Sequence, residues 1–191
     1  MKKQILDRYE ITPDKHIVID VSVEKIEYLY NYFDRKAPYL KKDLDQELVD
    51  YLIDCVNEIG DIDFIIRISL ASLPDVKRME RVRKSICNFF MYLGNIERRK
   101  MRKMFRTTSI LFAAGLVILA VSIVVNKHIG LSTGVVGSVF AEGLTIASWV
   151  SLWEALATFL IQWPPHRSDI RLYKRIAQAT VVFHHFPASG Q

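Results

Sequence analysis

The sequence predicts a small α/β cytoplasmic domain of about three strands, joined to a two-helix transmembrane hairpin by a long helix that continues into the first span. Three observations predict it. Thr107 to Val125 is a run of nineteen residues without a formal charge. Ile129 to Trp163 is a second apolar stretch in which Glu142 and Glu154 are the only charged residues. Three segments rich in β-branched residues, HIVIDVS, FIIRISL and TVVFHHF, read as strands, two before the hairpin and one after it.

A helix needs about 20 apolar residues to cross a hydrocarbon core, because backbone amides in lipid must pair within the segment. The first stretch has that length. The second exceeds it, so its Gly-, Ser- and Thr-rich beginning, Ile129 to Phe140, reads as loop or interface. The span is then placed at 141–163, with Pro164-Pro165 stopping it. More than a hundred residues precede the first stretch, which is not the position of a cleavable signal. The resulting division is a cytoplasmic domain at 1–100, a hairpin at 101–165 and a cytoplasmic tail at 166–191.

Within the domain, Thr12-Pro13-Asp14 closes a loose leader and His16 to Ser22 alternates as a strand. A short helix is expected from Val23 to Tyr32. Asp43 and Gln46 have capping-box spacing ahead of a helix that buries Leu44, Leu48, Tyr51, Leu52 and Cys55 and ends at Gly60. Phe64 to Leu70 is the second strand. From Asp75, the residues Met79, Val82, Ile86, Phe89, Leu93 and Ile96 step by three and four, giving the long helix an apolar seam. The seam is expected to cover the sheet of its own chain, the competing role being a coiled coil between subunits. Beyond Pro165, Ser168 and Asp169 are positioned to cap a short helix with Ile170, Tyr173 and Ile176 on one side. Thr180 to Phe186 then supplies a strand to the N-terminal sheet, since two strands alone make a poor one.

Orientation follows from the basic residues beside the spans. Arg98, Arg99, Lys100, Arg102, Lys103 and Arg106 precede the first, and Arg167, Arg171, Lys174 and Arg175 follow the second. The connection offers only Lys127. This asymmetry places both flanks, and both termini, on the cytoplasmic side of the cell inner membrane. The net charge of +5 then reports contact with anionic lipid headgroups rather than nucleic-acid binding, at about 1 kcal/mol for each juxtamembrane cation.

The segments APYLKKDLDQELVDYLIDCVNEIG, IERRKMRKMFR and EGLTIASWVSLWEALATFLIQWPP, followed by RLYKRI, resemble a family of uncharacterised bacterial two-span membrane proteins. The shared features are an acidic DLD motif in the soluble domain, an EGL…W…W second span ending at Trp-Pro, and a basic Leu-Tyr tail. The resemblance covers most of residues 16–183 and implies the same architecture without implying an activity. Where the family carries a basic residue after the second tryptophan, this chain has Glu154, so a charge-pair role for that position does not carry over.

Four residues in the second apolar stretch are candidates for intramembrane function: Glu154, Glu142, Trp149 and Trp153. Glu154 lies nine residues before Trp163, about 13 Å inside the boundary. A carboxylate at that depth is costly unless paired, protonated or turned toward protein, and Arg106 is a possible partner. Glu142 belongs at the outer edge. Trp149 and Trp153, one turn apart, are expected to pack between helices, and Trp163 to sit at the interface. Ala147, Ser151 and Ala155 form a small-residue stripe suited to close helix approach. Asp43, Asp45, Glu47 and Asp50 read as helix capping rather than a metal site, and adjacent strand residues His184 and His185 point to opposite faces. Cys55 and Cys87 read as reduced, buried residues. No HExxH, GxSxG or phosphate-cradling glycine loop is present in the sequence. The reading is a non-enzymatic, self-associating membrane protein without cofactor or metal, its cytoplasmic domain an interaction or sensing module. The alternative is a small oligomeric channel or membrane-perturbing effector lined by the second span.

Overall fold

The computed structural model describes residues 8–34, 38, 41–129 and 135–186. The chain divides into two compact units, Met1–Asn95 with Asp169–Gln191, and Ile96–Ser168. Among the described residues there are four strands, β1 (Glu10–Ile11), β2 (Ile17–Val23), β3 (Phe64–Leu70) and β4 (Thr180–His185). Three α-helices accompany them, α1 (Gln46–Ile59), α2 (Val76–Ile129) and α3 (Val135–Gln178).

The first unit is built on a mixed sheet of order β1-β2-β3-β4. β1 is antiparallel to β2, while β2, β3 and β4 run parallel. The fourth strand was not expected. Thr12 to His16 is a tight turn rather than part of a loose leader: the Thr12 amide donates to the His16 carbonyl at 2.9 Å, and the His16 amide donates to Thr12 Oγ1 at 3.1 Å. Lys15 takes a positive φ of 62° to complete it. The turn folds Glu10 and Ile11 back onto Val18 and Ile17.

Strand alternation sorts the sheet into two faces. Ile17, Ile19 and Val21 of β2, Phe64, Ile66, Ile68 and Leu70 of β3, and Val181 of β4 enter one buried cluster. Val49, Leu52, Cys55, Val56 and Ile59 of α1 join them, with Val82, Ile86 and Phe90 of α2 and Leu172, Ile176 and Ala177 of α3. The seam of α2 thus packs on its own chain's sheet, Phe89 and Leu93 lying partly buried beside it.

Several local expectations are corrected. The helix expected at 23–32 is absent, because β2 continues to Val23 and two single 3₁₀ turns, Ile26–Leu29 and Tyr32–Asp34, follow. Asp45 rather than Asp43 caps α1, its carboxylate accepting from the Glu47 amide at 3.0 Å, and Gln46 donates onward to Asp50. The Asp43 amide instead donates to the Asp34 carboxylate. Tyr51 is 44% exposed, and Val49, Val56 and Ile59 complete the buried face in its place. Gly60, at φ 70°, ends the helix as expected. The largest correction concerns Pro164 and Pro165, which lie inside α3 without ending it. Each proline removes one N–H and costs about 3 kcal/mol in a helix interior. Packing on both sides of the pair offsets that cost, with Phe159 and Trp163 stacked before it and Leu172, Ile176 and Ala177 buried after it. α3 also begins at Val135 rather than 141, and the separate short helix expected after Pro165 is its last part.

β4 joins the sheet through Ile65–Leu70, with Val181 facing the core and only 7% exposed. Arg83 guards its outer edge, donating from Nε to the Val181 carbonyl at 2.9 Å and stacking over the Phe183 ring. Replacing Val181 by Asp is predicted to lower stability by about 3 kcal/mol, since an unpaired carboxylate would enter the core. Urea unfolding of the purified protein in detergent, followed by protease resistance of β3, measures it. An unchanged midpoint would mean that β4 contributes nothing to the sheet.

Candidate functional site in the helical hairpin

The second unit contains the middle of α2 and most of α3. The two helices run antiparallel, as the paired contacts show: Glu97 with His166, Phe105 with Phe159, Gly115 with Leu152 and Ser122 with Thr145. On α2 the inward side is Glu97, Met101, Met104, Thr108, Leu111, Gly115, Ile118 and Ser122, alternating steps of four and three. That is a heptad seam, the pattern of left-handed antiparallel packing.

The seam is small and polar where it is most buried. A Cβ placed on Gly115 would lie 3.1 Å from the Leu152 side chain and 3.3 Å from its backbone nitrogen, so glycine sets the helix separation there. Ser122 and Thr145 share a 2.5 Å hydrogen bond between hydroxyls. Ser148, fully buried, donates to the Thr145 carbonyl at 2.6 Å. At the opposite end Glu97 is only 9% exposed, and its carboxylate accepts from His166 Nδ1 at 2.5 Å and from Lys100 Nζ at 3.0 Å. Phe105 meets Phe159 edge to face, Phe159 stacks on Trp163, and the Arg167 guanidinium covers the Trp163 ring.

Outward, the polarity reverses. Ile110, Phe112, Leu116, Val117, Val121, Ile123 and Val124 of α2 are exposed, as are Ile146, Val150, Leu156, Leu160 and Ile161 of α3. Both helices contain windows long and apolar enough to cross a membrane, and only 17% and 11% of those windows is buried.

All four candidates from the second apolar stretch are exposed. Trp149 and Trp153 are 64% and 71% exposed, which corrects the expectation that they pack between helices. The close approach at Gly115 leaves room on the facing side of α3 for Ser148, Leu152 and Ala155 but not for an indole. Glu154 is exposed, and no ion pair joins it to exposed Arg106 or to any other described residue. Glu142, in the N-terminal part of α3, is also exposed. Of the small-residue stripe, Ala155 is buried in the hairpin, Ser151 half-buried and Ala147 exposed, so the stripe turns away from α2 along its length.

The basic residues divide. Arg98, Arg99, Lys100, Arg102, Lys103, Arg106, Arg167, Arg171 and Lys174 are exposed. Arg175 belongs to the first unit instead: its guanidinium donates to the Gly60 and Ile62 carbonyls and lies over the Phe64 ring. It tethers the turn after α1.

Several polar groups of the first unit have structural partners, whereas the buried Ser85 hydroxyl has no hydrogen-bond partner among the described residues. On the sheet face opposite the core, Arg67 binds Asp20 and Glu10 at 2.5 Å each, a pairing that joins three neighbouring strands. The hydrogen bond from Arg67 holds the Glu10 carboxyl below its usual range, and the two carboxylates raise the guanidinium further. Burial, reinforced by Cys55, pushes the Tyr51 phenol up to about 12, and it donates to the Asp20 carbonyl. Burial and the Glu58 hydrogen bond likewise raise Tyr9, which donates to Glu58. Both phenols are therefore protonated donors at neutral pH. The two cysteines are free, Cys55 buried and Cys87 half-buried. Among the described residues no group of three His, Cys, Asp or Glu is placed to hold a metal ion. Comparison with family models, curated proteins and solved structures finds no match to any of them.

Glu97 and His166 were not singled out in the sequence. The signal was present: Glu97 occupies the seam position four residues after Leu93, where an acid is out of place unless it meets a partner. Two outcomes are predicted. Glu97→Leu, which removes the partner of His166, should destabilise the hairpin by about 1–3 kcal/mol, while Glu97→Gln, which can still accept from His166, should cost less than half as much. Gly115→Leu should cost about 1–3 kcal/mol by forcing the helices apart. Steric-trap or denaturant unfolding in micelles ranks them. Equal losses for Gln and Leu at 97 would show that the bond to His166 carries no stability.

Proposed function

We propose that this chain is a non-enzymatic integral membrane protein whose two long helices cross the bilayer as a hairpin, both termini cytoplasmic. Its α/β unit then serves as an interaction or sensing module, and the protein self-associates. The observation that carries this reading is the inverted polarity of the hairpin. Thr108, Gly115, Ser122, Ser148 and Glu97 are buried, while branched and aromatic side chains face outward. A water-soluble hairpin would gain about 25 cal/mol per Å² by burying those side chains. In lipid the hydrophobic drive between helices vanishes, and small residues with interhelical hydrogen bonds hold them together instead. The ten basic residues flanking the spans, against Lys127 alone between them, support the cytoplasmic placement of both ends. The resemblance to two-span bacterial membrane proteins supports the same arrangement.

The second reading is a small oligomeric channel or membrane-perturbing effector lined by α3. One observation favours it: Glu154 is exposed on an otherwise apolar stretch of helix. Two spans cannot enclose a pore in a monomer, so a monomeric native mass would eliminate this reading, and conductance in liposomes would establish it.

Topology provides the direct test. In intact cells, a cysteine at Lys127 is predicted to react with a membrane-impermeant maleimide, and one appended after Gln191 to react only after permeabilisation. Labelling of the C-terminal cysteine in unbroken cells would overturn the orientation. Release of the protein by alkaline carbonate would overturn membrane insertion itself.

A further inference from the structure

We infer that one flank of α3, carrying Gly143, Ala147, Ser151, Glu154, Thr158 and Gln162, is the surface on which two parallel copies of this chain pack side by side, each Glu154 carboxyl hydrogen-bonding across the contact. The inference rests on the membrane reading above and names the partner and the residues of the self-association. Successive members are four, four, three, four and four residues apart, which keeps them on one side of the helix. It is not the side used by α2. Ser148 and Ala155 face α2 and are buried, whereas Gly143, Ala147, Glu154 and Gln162 are exposed, with Ser151 and Thr158 half-buried at the margin. A Cβ on Gly143 would meet nothing within 4 Å, and the neighbouring Ala147 is as small as a side chain can be. A second helix can therefore approach closely along this flank.

Glu154 determines what that helix must be. Acyl chains offer a carboxyl no partner, so a Glu154 facing lipid would be left unsatisfied at this depth. Among the described residues no cation pairs with it, and the Ser151 hydroxyl is already donating to the Ala147 carbonyl at 2.9 Å. An apolar partner would leave the carboxyl as unsatisfied as lipid does. A parallel second copy brings the right groups to the right depth: the half-buried Thr158, one turn from Glu154, presents a hydroxyl that donates to the Glu154 carboxyl of the other copy, and the arrangement is reciprocal. The other end of the hairpin is complementary as well. Lys127 and Glu142 are both exposed and make no ion pair among the described residues. The Ser122–Thr145 contact sets them within about 3 Å of one another in depth, so neighbouring copies present opposite charges there.

The test uses the full-length chain in phosphatidylcholine liposomes, with insertion first verified by resistance to carbonate. Under copper-phenanthroline oxidation, Ala147→Cys should give a disulfide-linked dimer, and Ile146→Cys, one residue away on another face, should not; the parent chain controls for Cys55 and Cys87. In the Ala147→Cys background, Glu154→Gln should preserve the dimer band and Glu154→Leu should reduce it about tenfold. Loss of carbonate resistance would fault the membrane reading rather than this contact. With insertion intact, equal cross-linking at 146 and 147, no cross-linking at either, or an unaltered band in Glu154→Leu would each overturn the proposal.

Discussion

The parallel pairing of β3 with β4 is the constraint on which the rest of the structure depends. Parallel neighbours cannot be joined by a tight turn, because the chain must return to the starting edge before the second strand begins. Here that return is made by everything between Leu70 and Thr180, namely α2, the connection after Ile129, and α3. The hairpin is thus an enlarged crossover, and the first unit cannot complete its core until α3 supplies Leu172 and Ile176 and β4 supplies Val181.

The hairpin meets its own constraint by reversing the usual distribution of polarity. Its interior is held by close approach at Gly115, by the hydroxyl contact between Ser122 and Thr145, and by a buried carboxylate at Glu97. Such contacts contribute modestly in water, where the unbonded groups would be solvated. They gain weight where no solvent competes, although partners found in the unfolded state temper the gain. Glu97 lies at one end of the hairpin seam, and its bond to His166 fixes the register of the two helices there.

Acidic side chains in this protein take their roles from what surrounds them. Asp20 and Glu10 are matched by Arg67, and Asp45 by a helix terminus. Glu97 is matched by a histidine and a lysine. Glu154 has no counterpart in its own chain among the described residues, which is why it carries the inference about a second copy.

The sequence by itself determined the elements whose signal is local. Alternation in HIVIDVS, FIIRISL and TVVFHHF marked β2, β3 and β4 to within a residue or two, and Gly60 ended α1 where a left-handed residue was required. The long charge-free run marked the apolar part of α2, since hydropathy needs no knowledge of neighbours. What the tertiary structure alone decided involved a choice between locally equivalent options. Asp43 and Asp45 both had capping chemistry, and the Asp34 contact took one of them out of contention. Pro164-Pro165 ordinarily ends a helix, and packing on either side kept α3 continuous. The two-residue strand β1 exists only because β2 is there to pair with it. Which face of α3 turned inward was also beyond local reading, because Trp149, Trp153 and the Ala147-Ser151-Ala155 stripe were all compatible with the period of a helix. The separation set by Gly115 on the opposing helix excluded the indoles and admitted Ser148 and Ala155, a choice made by a residue more than thirty positions away.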